Sequence, residues 1–236
     1  MILLFKILLA HLMGDFLLQP TSWVKNKEKR KIKSKFLYFH FLVHTLLLMV
    51  LVFRIEFIPY AILLGVIHIL IDLLKLYLQS EVTKRIWFLI DQILHIFSIL
   101  FLIILYDNII INNYSLVPQF WPILTALLFL TVPASITIKN LISIWTPNTN
   151  DTKQDLENAG TYIGILERLF IFLFILIGQF SAIGFLLAAK SIFRFGDLTK
   201  SKDRKLTEYV LIGTLLSFGI AIVTGLATKY ILGFLS

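Results

Sequence analysis

Seven long apolar runs, parted by short polar stretches, set the frame of the chain. They fall near residues 2–18, 36–53, 57–78, 86–106, 119–138, 161–195 and 207–235. A helix needs roughly 20 apolar residues to cross a hydrocarbon core, so the pattern predicts an all-α, polytopic transmembrane helical bundle of seven to eight membrane segments. The run 161–195 decides between the two counts. As one helix it would be about 52 Å long at 1.5 Å per residue, well beyond a core of about 30 Å. Two short helices with a turn near "IGQFSAIG", 177–184, fit that length, and so does a single span from Leu169 to Ala189 flanked by charged ends.

The polar stretches orient the bundle. Six Lys and one Arg crowd "KNKEKRKIKSK", 25–35, and the positive-inside rule places that loop in the cytoplasm and the N-terminus outside. The loop 79–85, with Lys84 and Arg85, then also falls inside, while the loop 107–118, without Lys or Arg, falls outside. Lys200, Lys202, Arg204 and Lys205 keep the same bias only if 161–195 is a hairpin. The expected location is therefore the cytoplasmic membrane. The first run lacks a basic stretch ahead of its apolar core and a small-x-small cleavage site, so it reads as a retained span and not as a signal peptide. The polar stretch "TPNTNDTKQDLENAG", 146–160, interrupts the second half; the expected division is a four-helix metal-binding half, 1–106, and a C-terminal half, 107–236, of three to four segments.

Composition strengthens the membrane assignment: 58% of the residues are hydrophobic and 15% charged, against roughly 25% charged in an average soluble domain. The net charge of +8 is spread over short loops between apolar runs, which is the distribution of topology-setting charges and not a nucleic-acid footprint. With no cysteine, any metal must be held by nitrogen and oxygen ligands.

The histidines give the chain its chemistry. All five lie in the front half, in "HLMGD" (His11, Asp15), "HFLVH" (His40, His44), "HILID" (His68, Asp72) and "DQILH" (Asp91, His95). Every one has a histidine or an aspartate four residues away, in four different helices. By residue counts a given histidine finds such a partner roughly one time in ten, and residues at i and i+4 share a helix face. All eight also lie within about ten residues of the inner face, about 15 Å at helical rise, so four antiparallel helices bring them to one layer. Asp151 and Asp155 share the spacing by coincidence in a polar loop.

Ionisable groups inside a membrane span cost roughly 2.5–3.5 kcal/mol each and face a bundle interior. Three aspartates among neutral histidines are uncompensated, and two divalent cations would balance them. Five imidazoles and three carboxylates suffice for two sites of three to four ligands, with positions left for water or substrate. A bis-histidine haem would leave the aspartates unexplained. Two divalent transition metals are expected, with zinc favoured over iron or manganese.

The ordered, ungapped motifs His11–Gln19 (H-x-x-G-D-F-x-L-Q), His40–His44, His68–Lys75 (H-x-x-x-D-x-x-K) and Asp91–His95 (D-Q-x-x-H) resemble a family of bacterial integral membrane proteins of unknown function. The resemblance covers the front half and implies a membrane location. More loosely, His/Asp pairs on membrane helices are similar to those of intramembrane metal-dependent hydrolases, by analogy and not homology.

The back half adds charges at apolar sequence, among them Arg168, Lys190 and Arg194. They suit interfacial anchoring or, in the hairpin topology, a phosphate or carboxylate of a substrate; Lys75, Gln19 and Gln92 are further candidate substrate contacts. The expected function is a membrane-embedded, binuclear metal-dependent hydrolase working at the cytoplasmic side on a lipid or amphiphilic, phosphorylated or unphosphorylated, small molecule. Asp15 or Asp91 is its candidate general base. A metal-ion or small-solute transporter is the alternative, and a di-metal redox enzyme a further one, which glutamate ligands would have favoured.

Overall fold

A computed structural model of the protein describes residues 2–109, 119–145, 154–195 and 204–235. Their regular structure is entirely helical, with no strand among the described residues. The chain forms two compact units, Met1–Thr125 and Ala126–Ser236.

In the first unit α1 (Ile2–Leu12) continues into a π-helical turn over Met13–Leu17. Pro20 cannot extend a helix and pushes the residue before it out of helical conformation, so the chain turns sharply there. The amphipathic α2 (Thr21–Arg30) starts anew, and the two helical stretches meet at 84°. Then come α3 (Lys35–Val52), α4 (Ile58–Leu78, with Pro59 in its first turn) and α5 (Lys84–Ile109). Phe53, in the left-handed conformation at φ 53°, ends α3. These helices turn apolar side chains outward: Phe39, Leu42, Leu46 and Val50 on α3 and Phe97, Phe101 and Ile104 on α5 are all exposed. A bundle with grease outside and histidines inside is the inversion expected of a protein whose solvent is lipid.

α6 (Phe120–Phe129) carries the chain into the second unit, where α7 (Val132–Ile142) follows after a 41° bend with Pro133 at its start. α8 (Gln154–Leu176) and α9 (Phe180–Phe195) are parted by a break at Gly178, whose φ of +78° suits glycine. α10 (Arg204–Leu235) packs along α8 and α7.

Among the described residues four helices are long and apolar enough to cross a membrane, or six if each bent pair is one span. The expected seven to eight segments exceed this number. α8 carries Glu167 and Arg168 in mid-helix, and α9 counts among the described residues as a shorter apolar helix, Phe180–Ile192.

Candidate metal centre

Helix direction sorts the polar residues of the first unit into layers. Ile7, Leu48, Leu64 and Ile99 belong to the buried apolar core, and each stands one turn from a histidine on its own helix: His11, His44, His68 and His95. One further turn in the same direction stand Asp15, His40, Asp72 and Asp91. The order of the pair along the sequence reverses with the direction of the helix, which is what keeps the four histidines at one level. A layer of four imidazoles thus lies between an apolar core and a layer of three carboxylates and one imidazole.

The histidine layer is tight. The ring centroids of His68 stand 3.9 Å from His44 and 4.0 Å from His95, and His11 is 5.1 Å from His95. A cavity of only about 10 Å³ lies among these rings and the core residues beneath them, room for about one water or ion. Gly14 makes the close approach possible, because a Cβ there would fall on the His44 ring.

Asp15 is the hub. Its Oδ1 lies 2.9 Å from His44 Nε2, 3.1 Å from His40 Nε2 and 3.4 Å from His68 Nε2, while Oδ2 is 3.9 Å from His11 Nδ1. The π-turn, one residue wider than an α-turn, carries Asp15 and aims it at the other helices. The equal spacing in sequence therefore marks depth, whereas the shortest contacts run between helices.

Three groups could hold a metal ion: His11, Asp15, His44 and His68; His40, His68 and Asp72; and Asp72, Asp91 and His95. Between them they use all eight predicted ligands. Within each group one ligand atom per residue lies within 4.8 Å of the others. Bonds of about 2.0–2.1 Å in a tetrahedron set neighbouring ligands about 3.4 Å apart, inside the range of the Asp15–histidine distances. The donor set fits a cation for a second reason: His11 Nε2, both ring nitrogens of His95 and Asp91 Oδ1 are buried with no hydrogen-bond partner. Polar atoms so placed are costly unless something binds them.

The charge balance differs from the sequence expectation. Lys27 Nζ donates to Asp72 Oδ2 at 2.6 Å and Lys75 Nζ donates to Asp91 Oδ2 at 2.9 Å. Two of the three carboxylates are thus paired, and Asp15 alone stands among imidazoles. Lys27 was not among the predicted site residues, because it sits in the lysine-rich run assigned to topology. Its signal is the helical spacing: Lys27 follows Trp23 by four residues and Val24 by three, so it shares the apolar face of α2. That face is held against the bundle by Trp23 stacked on Phe36 at 5.2 Å, Lys31 over the Tyr77 ring and Glu28 paired with Lys84 at 2.8 Å. Lys27 is 5% exposed as a result.

Below α2 lies a cavity of about 70 Å³ bordered by Asp15, Gln19, Lys27, Asp72, Lys75, Asp91 and Gln92. The Gln19 amide is 2.9 Å from His40 Nε2, and Gln92 Nε2 donates to Asp91 Oδ2 at 3.2 Å and to Asp15 Oδ2 at 3.4 Å. Gln19, Lys75 and Gln92 therefore border the carboxylate layer.

The basic candidates of the back half lie in the second unit. Arg168 donates to the carbonyls of Leu130 and Thr131 and to the hydroxyls of Ser135 and Ser217. It closes the break between α6 and α7, where a bent helix leaves carbonyls unpaired. Lys190 pairs with Glu167 at 2.5 Å. The side chains of Arg194 and Asp155, and Asp151 as a whole, lie outside the described residues.

Neither a curated protein nor a solved structure matches the chain. A model of a family of proteins of unknown function, DUF3307, matches residues 3–126, which hold all four helices of the polar layers and just over half of the chain; the protein belongs to that family.

Proposed function

We propose that the first unit is the metal centre of a membrane-embedded hydrolase that acts from the cytoplasmic side of the cell membrane on an amphiphile with an anionic group. The observation that carries this reading is the set of four unpartnered, buried ligand atoms on His11, Asp91 and His95 beside the Asp15 hub. Zinc is favoured over iron or manganese by the histidine-rich donor set without glutamate. The group His11, Asp15, His44 and His68 takes the first metal. The group Asp72, Asp91 and His95 takes the second, more weakly, because lysines already neutralise its carboxylates.

A divalent cation in such a site supplies a water of lowered pKa and polarises a carbonyl or phosphoryl oxygen. The protein supplies the rest. Asp15 and Asp91, bridged by the Gln92 amide, border the cavity as candidate general bases. Lys27 and Lys75 each give one N–H to a carboxylate and keep two for an anionic substrate group. α2 and its aromatic contacts cover the site. Seven to eight membrane segments, with α8 and α9 as two short ones and the N-terminus outside, return the basic loops to that same face. Transport is the alternative; the apolar layer of Ile7, Leu48, Leu64 and Ile99 speaks against it, since it lies across any path beyond the histidines.

The test is elemental analysis of the purified protein, followed by product release from mixed-lipid vesicles. One to two equivalents of metal are expected, with His68→Ala losing the first because His68 belongs to its group, and Asp151→Asn losing none. A folded protein that stays metal-free after growth and dialysis with zinc, iron and manganese would refute the centre. Metal without release, together with uptake of the metal into proteoliposomes, would instead support transport.

A further inference from the structure

The second unit holds a cavity of a different kind, about 370 Å³ in volume, among α7, α8, α9 and α10. In its lining Lys190 pairs with Glu167, while the hydrogen-bond partners of the Arg168 guanidinium are all neutral. Within an apolar helix bundle that positive charge calls for a counter-anion. The polar groups are arranged to meet one. Arg168 is 3% exposed and uses four of its five N–H groups on Leu130, Thr131, Ser135 and Ser217. The remaining N–H is on Nη1, where only the glycine at 164 leaves space, since a Cβ there would come within 3.3 Å. Thr214 and Ser217 are buried and line the same cavity. Ser217 accepts from Arg168 and keeps its own proton to donate.

α10 extends this cavity with a second feature. On its neighbouring face an apolar groove of about 610 Å³ runs from Ile212 to Thr224, with Phe129 as its other wall. Twelve helical residues are about 18 Å long, comparable to an extended acyl chain of about 14 carbons. The polar cavity, from Tyr209 to Ser217, and the groove overlap along the helix.

We propose that the second unit binds a membrane amphiphile through this pair of features, its phosphate headgroup held by Lys190, Thr214, Ser217 and the free N–H of Arg168 and its acyl chain lying in the groove along α10. This site stands on different residues from the metal centre and does not depend on its chemistry.

The full-length protein, delipidated in a neutral detergent, is titrated with phosphatidylglycerol, phosphatidylcholine and inorganic phosphate, with binding read by native mass spectrometry and by the shift of the thermal midpoint. Phosphatidylglycerol is expected to bind at least about tenfold more tightly than phosphatidylcholine, since both offer the same phosphate to the hydrogen bonds but the choline ammonium brings a positive charge toward Lys190 and Arg168. Inorganic phosphate should compete only weakly, because it lacks the chain. Lys190→Gln should remove most of the preference. Because that change also leaves Glu167 unpaired, Thr214→Val serves as a second variant of unchanged shape, with a smaller loss. His68→Ala should lose metal and keep the lipid preference, which separates this site from the first. Equal binding of the two lipids, or a preference untouched by both Lys190→Gln and Thr214→Val, would overturn the proposal. Phosphate binding as tightly as phosphatidylglycerol would overturn the amphiphile and leave a free-anion site.

Discussion

Both units bury charge among apolar helices, but they do it differently. In the first, four imidazoles crowd around a void of about 10 Å³, three carboxylates border a second cavity of about 70 Å³, and four ligand atoms are left without partners. In the second, Arg168 gives its hydrogen bonds to helix carbonyls and hydroxyls, Lys190 neutralises Glu167, and the space beside them is about 370 Å³. A ligand-rich void the size of one atom calls for an ion. A roomy cavity with satisfied charges and a cationic excess calls for a polyatomic group. Burial of charge alone therefore does not mark a candidate metal site; histidine and carboxylate atoms that cluster without partners do so better.

The comparison breaks most visibly at Gly14. Substitution with alanine places a methyl group on the His44 ring and forces His44 away from Asp15. Overpacking of this kind costs about 1–3 kcal/mol of stability, and the displaced imidazole should lower metal content by more than half in elemental analysis. If Gly14→Ala keeps its full metal content, the tight histidine layer is not the site.

Arg168→Met tests the other half of the contrast. It takes the donor from the Leu130 carbonyl and from the hydroxyls of Ser135 and Ser217, while the Thr131 carbonyl still accepts from Ser135, and an unsatisfied buried group costs about 1–3 kcal/mol. The expected outcome is a loss of about 3 kcal/mol in unfolding free energy with metal content unchanged. A loss of metal without a loss of stability would give Arg168 the substrate-side role first suggested by its sequence position, and would remove its assignment as a structural group.

How much of this was legible beforehand follows from the range of each signal. The eight clustered residues could be read because helical periodicity writes a shared face into the sequence as i, i+4, and because loop charges give depth independently. Their real partners could not be read. Asp15 meets His44, His40 and His68 across helices by way of a π-turn, and nothing in "HLMGDF" distinguishes a π-turn from an α-turn. α3, α4 and α5 begin and end within a few residues of the apolar runs, since their outward apolar faces are what hydropathy counts. Lys27 was hidden by its neighbours. Six lysines between positions 25 and 35 suggest one electrostatic purpose, and only the 84° turn after Leu17 brings one of them inside. The two units also meet at Thr125 and Ala126, inside α6 and not at a loop, a boundary that no change of composition announces.

Lys27 gives the smallest effect and the finest test. Its ammonium sits 2.6 Å from Asp72 Oδ2 and supplies a positive charge like the one a second cation would bring. Lysine and second metal then compete for one carboxylate, and removing the lysine should favour the metal. Lys27→Gln keeps a hydrogen-bond donor and most of the length of the side chain while deleting the charge, so α2 can stay anchored through Trp23 and Glu28. The expected result is an unchanged first equivalent and a second equivalent bound about tenfold more tightly, equal to about 1.4 kcal/mol. Two-site titration calorimetry with zinc measures both constants in one experiment. Weaker binding of the second equivalent would mean that Lys27 holds Asp72 in place for the metal and does not substitute for it.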